Sequence, residues 1–470
     1  MTALTTKQVI GVVGAGTMGA GIAQLAAAAG HPVVLFDSFD GAAAKGKARI
    51  ADGLAKMVAR GKMAEDDRLA LVDRITLGVE VASLAPCALV IEAIVENLEV
   101  KRDLFATLEK TLAETAILAT NTSSISITSI GRDLKRPEQL VGMHFFNPAP
   151  VMKLVEVVSG VATARSVAET VFDTAQAWGK IAVHTKSTPG FIVNRVARPY
   201  YAEALRLFEE QVAEPATIDA LLTEGAGFRM GPFALMDLIG NDVNYTVCKS
   251  VFDAYYQEPR FRPSILQLEQ VNAGRLGQKS GRGWYDYAAG AEKPAPLTVA
   301  ATDAPLIDDL DLTGAEVEGV AIRQTDGRTA AQWAKTLGQP VIVLDYMAAE
   351  GKRLGFAASA DVPATVIARL VATLSARGIA ATHLPDWPGL VALRTIAMLA
   401  NEGYEAVLQG VTDATGVDNA MRFGVNYPKG PMAWARDIGL ARILATLDSI
   451  HALTGDPRYR AAMTLRMAAA

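Results

Sequence analysis

The chain has 470 residues, half of them apolar, with 45 basic and 50 acidic side chains and a formal charge of −5. At roughly 100–200 residues per domain that length predicts several domains, each with its own core, and a mild acidic balance without a basic block excludes a nucleic-acid partner. Two cysteines far apart in sequence, Cys87 and Cys248, exclude a disulfide framework and a CxxC zinc site, so no metal is expected.

Residues 1–8 do not read as a signal peptide, and no run reaches the roughly 18–20 apolar residues needed to cross a bilayer, so a cytoplasmic protein without a membrane partner is expected. Val9–Val13 is a short apolar run ending in glycines, which suits a buried parallel strand. Residues 20–29 predict a small-residue helix stopped by Gly30, residues 32–36 a second strand closed by Asp37, and residues 45–60 a long helix. Strand-like runs recur at 87–93, 117–120 and 139–145 with helical patterns between them. That alternation implies βαβ units and a mostly parallel sheet. Beyond residue 186 strand signals vanish, and helices are predicted over 191–211, 215–220 and 231–249. Residues 288–297 read as a linker. From 297 to 386 strands and helices alternate again, with a strand at 339–345 followed by a helix, and helices then run to the end.

The chain repeats itself. A displacement of 199 positions aligns Gly190 with Gly389, Arg195 with Arg394, Glu203 with Glu402, Asp219 with Asp418, Gly231-Pro232 with Gly430-Pro431 and Gly240 with Gly439, without a gap. Glycine and proline positions restrict the backbone, so such matches mark a duplicated unit. The expected class is α/β plus all-α: an N-terminal Rossmann-type parallel-sheet domain (1–186), a helical domain (187–287), a degenerate Rossmann-related module without a glycine loop (297–386) and a second, non-catalytic copy of the helical domain (388–470).

Gly14-Ala15-Gly16-Thr17-Met18-Gly19 follows a strand and opens a helix. Its glycines permit a tight turn, backbone approach to a pyrophosphate and close helix–strand packing, while the helix start supplies amide donors. Asp37 falls about 20 positions on, where a carboxylate would accept from the adenosine ribose hydroxyls and repel a 2′-phosphate, favouring NAD over NADP. Glu96 and Lys101 follow an apolar strand end. Either they meet the cofactor's ribose or phosphates, or they are a solvated helix start. Asn121-Thr122-Ser123-Ser124 follows another strand end and either caps a helix or donates to a substrate oxygen. His144 stands at a strand end among aromatics; either it is a satisfied structural histidine, or its imidazole removes a hydroxyl proton beside a nicotinamide, with Glu156, twelve residues on, orienting it from the next strand. Asn194 is an amide inside an apolar helix, either packed there or turned to substrate. Its counterpart in the repeat is Leu393.

The stretches GVVGAGTMGAGIAQ, EAIVENLEVK, NTSSISIT, GMHFFNPAPVMKLVEVV, TPGFIVNR, GPFALMDLIGNDV and GQKSGRGWYDY resemble the L-3-hydroxyacyl-CoA dehydrogenase family, and the layout is similar to its long bacterial form linked to phenylacetate catabolism. The resemblance implies NAD-dependent oxidation of (S)-3-hydroxyacyl-CoA, with 3-hydroxyadipyl-CoA or 3-hydroxybutyryl-CoA as substrate. It puts the catalytic base on His144, the orienting carboxylate on Glu156 and the substrate oxygen on Ser123 and Asn194. Cofactor contacts fall on Gly14, Gly16, Thr17, Met18, Gly19, Asp37, Glu96, Lys101, Ser123, Asn147 and Lys279. It also implies one active site per chain and an intrachain pseudo-dimer of helical domains, with a homodimer of whole chains as the other arrangement. Gln278, before Lys279, departs from the family's usual basic residue. A distal substrate carboxylate would want one of Arg195, Arg198, Arg229 or Arg262. The alternatives are a non-catalytic structural relative, an NAD-binding sensor, and a hydroxyisobutyrate-type dehydrogenase; the last would usually carry a lysine near Asn194.

Overall fold

The computed structural model describes residues 3–470, whose contacts gather into two units: residues 3–193 with Gly410–Val425, and Asn194–Gln409 with Asn426–Ala470. No described helix is long and apolar enough to cross a membrane.

In the first unit the apolar runs form strands β1 Val9–Val13, β2 Val33–Phe36, β3 Ile75–Leu77, β4 Cys87–Glu92, β5 Ile117–Thr120, β6 Leu140–Phe145, β7 Leu154–Ser159 and β8 Ile181–Lys186. They lie in one sheet of order β3-β2-β1-β4-β5-β6-β7-β8. Successive side chains point to opposite faces, so Ile10, Val12 and Leu35 enter one apolar core while Val13, Val34 and Phe36 enter another. Burial on both faces explains why these strands read as continuous apolar runs. Strand order reverses between β1 and β4, which opens a crevice at the carboxyl ends of the strands.

One pair departs from the parallel pattern. Only residues 146–153 connect β6 to β7, too few for the crossover of a dozen or more residues that a parallel neighbour needs, so β7 returns antiparallel. The register sets His144 opposite Glu156.

The second unit corrects three expectations. The helix over 191–211 is divided into Val193–Val196 and Arg198–Glu209, because Pro199 has no amide hydrogen to continue the ladder. The helix over 231–249 breaks at Gly240, whose φ of 102° no helix accommodates, into Pro232–Ile239 and Asn241–Ala254. In the 297–386 region strands begin only at Gly314: β9 Gly314–Val317, β10 Val320–Gln324, β11 Val341–Leu344, β12 Arg353–Ala358 and β13 Ala380–His383, in the order β13-β12-β11-β10-β9. Pairs β9–β10 and β11–β12 are antiparallel, so this sheet is mixed. The helix expected after β11 is absent; β12 follows instead. Ala348 and Lys352 give their amides to the carbonyls of Gly225 and Glu224, so tertiary pairing overrides the helix propensity of Ala348-Ala349-Glu350.

The repeat reaches further upstream than the glycine matches. Under the same displacement β7 falls on β12, the helix Arg165–Ala177 on Ala364–Ala376, and the first residue of β8 on that of β13. Backbone angles agree as well: Gly190 and Phe191 have φ of 76° and 48°, Gly389 and Leu390 73° and 53°. Within the second unit the copies meet through buried, reciprocal ion pairs. Arg195 Nε donates to Glu402 Oε1 at 2.6 Å, and Arg394 Nε to Glu203 Oε2 at 2.7 Å. The Nη1 atoms repeat the symmetry, Arg195 reaching Gln409 and Arg394 reaching Glu210, both at 2.9 Å. Contact of i with j and of j with i is what a two-fold axis produces.

Removing one partner leaves the other charge buried and unpaired. Arg394→Met is expected to lower the unfolding free energy by about 3–5 kcal/mol, and adding Glu203→Leu to recover most of that loss. Urea denaturation of the two variants checks this.

Candidate active site

The glycine loop leaves β1 and enters the helix Thr17–Ala28, which no side chain caps. Gly14 has φ +97°, and a Cβ there would lie 2.5 Å from the Ala93 carbonyl oxygen; a Cβ on Gly19 would lie 1.8 Å from the Gly14 oxygen. A Cβ on Gly16 would meet nothing within 4 Å. The first and third glycines are therefore consumed by the turn and by helix–strand contact, and the second leaves open backbone before uncapped amides. That arrangement fits a pyrophosphate. Met18 follows the loop in the same helix. Asp37, at the end of β2, accepts from the Ala15 amide at 2.6 Å and the Phe39 amide at 3.0 Å, which holds its carboxylate beside the loop.

At the end of β4 a buried network appears around Glu92, a residue to which the sequence alone assigns no role. Its Oε1 accepts from Lys101 Nζ and the Ile94 amide, both at 2.6 Å, and Oε2 from Thr120 Oγ1 at 2.6 Å. Lys101 is 1% exposed and lies 3.3 Å from Glu96 Oε2. As the side chains stand, its amine holds Glu92 and Glu96 together. Glu96 Oε1 gathers the Thr122 hydroxyl at 2.5 Å, the Ser123 amide at 3.1 Å and the Ser124 amide and hydroxyl. Burial pushes the Glu96 carboxyl up. Bonds from Thr122 and Ser124 and the Lys101 charge outweigh that effect and hold it below its ordinary value. Glu96 thus organises the loop carrying Ser123. Asn121 pins the same loop, its Oδ1 accepting from the Phe145 amide at 2.8 Å. Glu92 carried no spacing signal, because its partners Lys101 and Thr120 come from a helix and from another strand, and the bond from Asn121 to β6 is likewise invisible in the order of residues.

His144 is 6% exposed. Its Nδ1 lies 2.7 Å from Glu156 Oε2, and its ring packs on Phe146 and Phe191, with centroids 4.5 and 5.9 Å away. Glu156 does a second thing. Its Oε1 accepts from the Ile192 and Val193 amides at 3.0 Å each, at the start of the helix Val193–Val196. One buried carboxylate therefore fixes both the imidazole and a helix entry. Asn147 is exposed in the β6–β7 loop.

The repeat separates these two jobs. The counterparts of His144, Glu156 and Asn194 are Val343, Gly355 and Leu393. The helix entry is nevertheless capped, by Asp345 at the end of β11, whose carboxylate accepts from Val391, Ala392 and Leu393 amides at 2.8–3.0 Å. The second copy kept the cap on a different strand and lost the imidazole. In the second unit, Asn194 is the second residue of the helix Val193–Val196, next to Arg195, and Lys279 is half-exposed and paired with Asp242 at 2.6 Å.

A glycine loop at a strand-to-helix turn, an acidic residue on the next strand and a carboxylate-held histidine define a nicotinamide-linked dehydrogenase. Residues 9–188 match the 3-hydroxyacyl-CoA dehydrogenase NAD binding domain, residues 190–287 and 389–470 both match the family's C-terminal domain, and residues 322–388 match the 3-hydroxybutyryl-CoA dehydrogenase reduced Rossmann-fold domain. The chain is 46% identical to 3-hydroxyadipyl-CoA dehydrogenase of Escherichia coli K12, over 98% of this chain and 97% of that one. It is 43% identical to the mitochondrial hydroxyacyl-coenzyme A dehydrogenase of Sus scrofa, over 59% of this chain and 90% of that one. A crystal structure of 3-hydroxybutyryl-CoA dehydrogenase from Escherichia coli K12 superposes with a TM-score of 0.94 at 46% identity, covering 99% of this chain and 98% of that one. The chain belongs to the 3-hydroxyacyl-CoA dehydrogenase family, and it is an NAD-dependent oxidoreductase.

Two outcomes follow from the geometry. Glu156→Ala leaves two buried amides without an acceptor and is expected to cost about 1–3 kcal/mol for each. Glu156→Gln keeps a carbonyl for them and is expected to cost less, as urea unfolding will report. Because the Glu96 value is lowered on folding, its stabilisation is present above the ordinary carboxylate value and is lost as pH falls through the lowered one. The stability gap between wild type and Glu96→Gln should therefore hold from pH 7 to about 5 and narrow steadily as pH falls below the ordinary carboxylate value.

Proposed function

We propose that this enzyme oxidises the 3-hydroxyl of an (S)-3-hydroxyacyl-CoA to the 3-oxo thioester with His144 as general base, on 3-hydroxyadipyl-CoA or 3-hydroxybutyryl-CoA. The 2.7 Å contact between His144 Nδ1 and Glu156 on facing strands carries the reading. With Nδ1 committed to the carboxylate, Nε2 is left to accept the substrate's hydroxyl proton, and Glu156 stabilises the imidazolium that forms. NAD, when bound, supplies the hydride acceptor. Gly14, Gly16, Thr17, Met18 and Gly19 would hold its pyrophosphate and Asp37 its adenosine ribose. Glu96, positioned by Lys101, would hold its other ribose, with Asn147 and Lys279 as further contacts. Ser123 and Asn194 orient the substrate oxygen.

The internal repeat acts as a pseudo-dimer of helical domains. The reciprocal Arg195–Glu402 and Arg394–Glu203 pairs support this, and the absence of a histidine at Val343 supports a single active site per chain. The cytoplasm is the proposed compartment, supported by a chain with two buried, unbridged cysteines.

His144→Gln should reduce kcat by ~10²–10⁴ while leaving NAD affinity within a few-fold, since the residue handles a proton and not the cofactor. Steady-state NADH formation and a cofactor titration measure the two quantities. Full turnover in this variant would remove His144 from the role of base.

A further inference from the structure

Arg198 carries a charge that the second unit does not balance. It is 5% exposed, and among the described residues no carboxylate lies within ion-pair distance of it. Its Nη1 touches Cys248 Sγ at 3.2 Å, its guanidinium lies 5.0 Å from the centre of the Tyr201 ring, and its Nε is buried without any hydrogen-bond partner. An ion taken from water without a counter-ion is heavily penalised. In the same unit the Tyr427 hydroxyl is also buried without a partner, its ring 5.6 Å from that of Tyr200, which itself packs on Tyr201 at 5.8 Å. Burial pushes Tyr427 well above the ordinary tyrosine value and Tyr201 up to about 12, so both keep their protons and neither is the missing anion. What remains are two unmatched donors, a guanidinium N–H and a phenol O–H. A carboxylate is the acceptor that suits such a pair.

The other candidate arginines fall away. Arg195 is committed to Glu402 and Gln409, and Arg229 and Arg262 are exposed. The repeat supplies a control within the chain. Under the 199-residue displacement Arg195 and Glu203 persist as Arg394 and Glu402, whereas Asn194, Arg198, Tyr201 and Cys248 become Leu393, Ala397, Ala400 and Leu447. The copy that lost the counterparts of His144 and Glu156 also lost Arg198. An arginine needed only for architecture would be expected to persist as Arg195 does.

Position adds a length. Asn194 and Arg198 are four residues apart on either side of the break at Ala197, whose own backbone stays in the helical region (φ −76°, ψ −14°), so they lie about one helical turn, roughly 6 Å, apart along the chain. In a six-carbon 3-hydroxy diacid, three carbon–carbon bonds of about 1.5 Å separate the carbinol from the terminal carboxyl carbon. One helical turn accommodates that span with a hydrogen bond at each end.

We infer that Arg198, together with the Tyr427 hydroxyl, reads a carboxylate at the distal end of the acyl chain, so that the enzyme selects the CoA thioester of a 3-hydroxy dicarboxylic acid over an uncharged acyl chain of similar length. This rests on the hydroxyacyl-CoA reading above. NADH formation by the full-length protein with 3-hydroxyadipyl-CoA and 3-hydroxybutyryl-CoA, side by side, tests it. Wild type is expected to favour the dicarboxylic substrate by ~10² in kcat/KM. Arg198→Met should compress that ratio to within a few-fold, the loss falling on KM for the dicarboxylic substrate, and Arg198→Lys should restore part of it. Without substrate, the Tm of Arg198→Met should equal or exceed wild type, since an unpaired buried charge is removed. A structural arginine would instead lower Tm and leave the ratio intact, which overturns the inference. So would a wild-type ratio near one. If Arg198→Met fails to fold, Tyr427→Phe decides: a ratio lowered by ~3–10-fold supports the site, and an unmoved one overturns it. No NADH from either substrate overturns the hydroxyacyl-CoA reading itself and the anion site with it.

Discussion

The carboxylate of Glu156 is the point on which the site depends. It is buried, and its two oxygens serve different masters: Oε2 the imidazole of His144, Oε1 the amides of Ile192 and Val193. A charge so placed is tolerable only when each lone pair is used, and here the partners are a ring nitrogen and two backbone donors. The same hydrogen bonds that make the charge affordable also fix the imidazole's tautomer and hold the amides of Ile192 and Val193, where the helix Val193–Val196 begins. Chemistry and chain path are thereby coupled through one side chain. The antiparallel return of β7 makes this available, because it sets positions twelve apart in sequence directly opposite one another.

The internal repeat shows what the coupling is for. In the second copy the helix entry still needs an acceptor for its amides, and Asp345 provides one from the end of β11 while Gly355 stands where Glu156 would be. The structural requirement survived relocation to another strand; the imidazole did not survive at all. Residues that persist in both copies, such as Arg195 and Arg394 with Glu402 and Glu203, tie the copies together through desolvated pairs. Residues confined to the first copy include the His144–Glu156 pair. A duplicated chain thus contains its own reference, in which architecture and chemistry have been sorted by loss.

Much of this was legible in one dimension wherever the determinants are local. The 14–19 loop announces itself because a tight turn, an open approach and a close helix contact each exclude a side chain at a fixed spacing. Glycine and proline positions exposed the repeat for the same reason, and Asp37 follows from the length of one βα unit. Local patterns also misled where longer contacts intervened. Pro199 and Gly240 divided helices that periodicity joined, and the segment after β11 became a turn because carbonyls at 224–225 claim its amides.

Only the tertiary structure decided the partners. Nothing in the spacing of Glu92, Lys101 and Thr120 foretold one buried network, since three separate segments contribute to it. Four arginines looked alike along the helical segment, and burial with or without a counter-ion separated Arg195 from Arg198. By itself the sequence determined the fold class, the glycine loop and the duplication, because each is written in residues near one another or in their order. Which charges are paired, which carboxylate serves two purposes and which guanidinium is left unmatched depend on residues far apart in the chain. Those are questions of distance and desolvation, and they acquire answers only when the sheet and the helices bring the groups together.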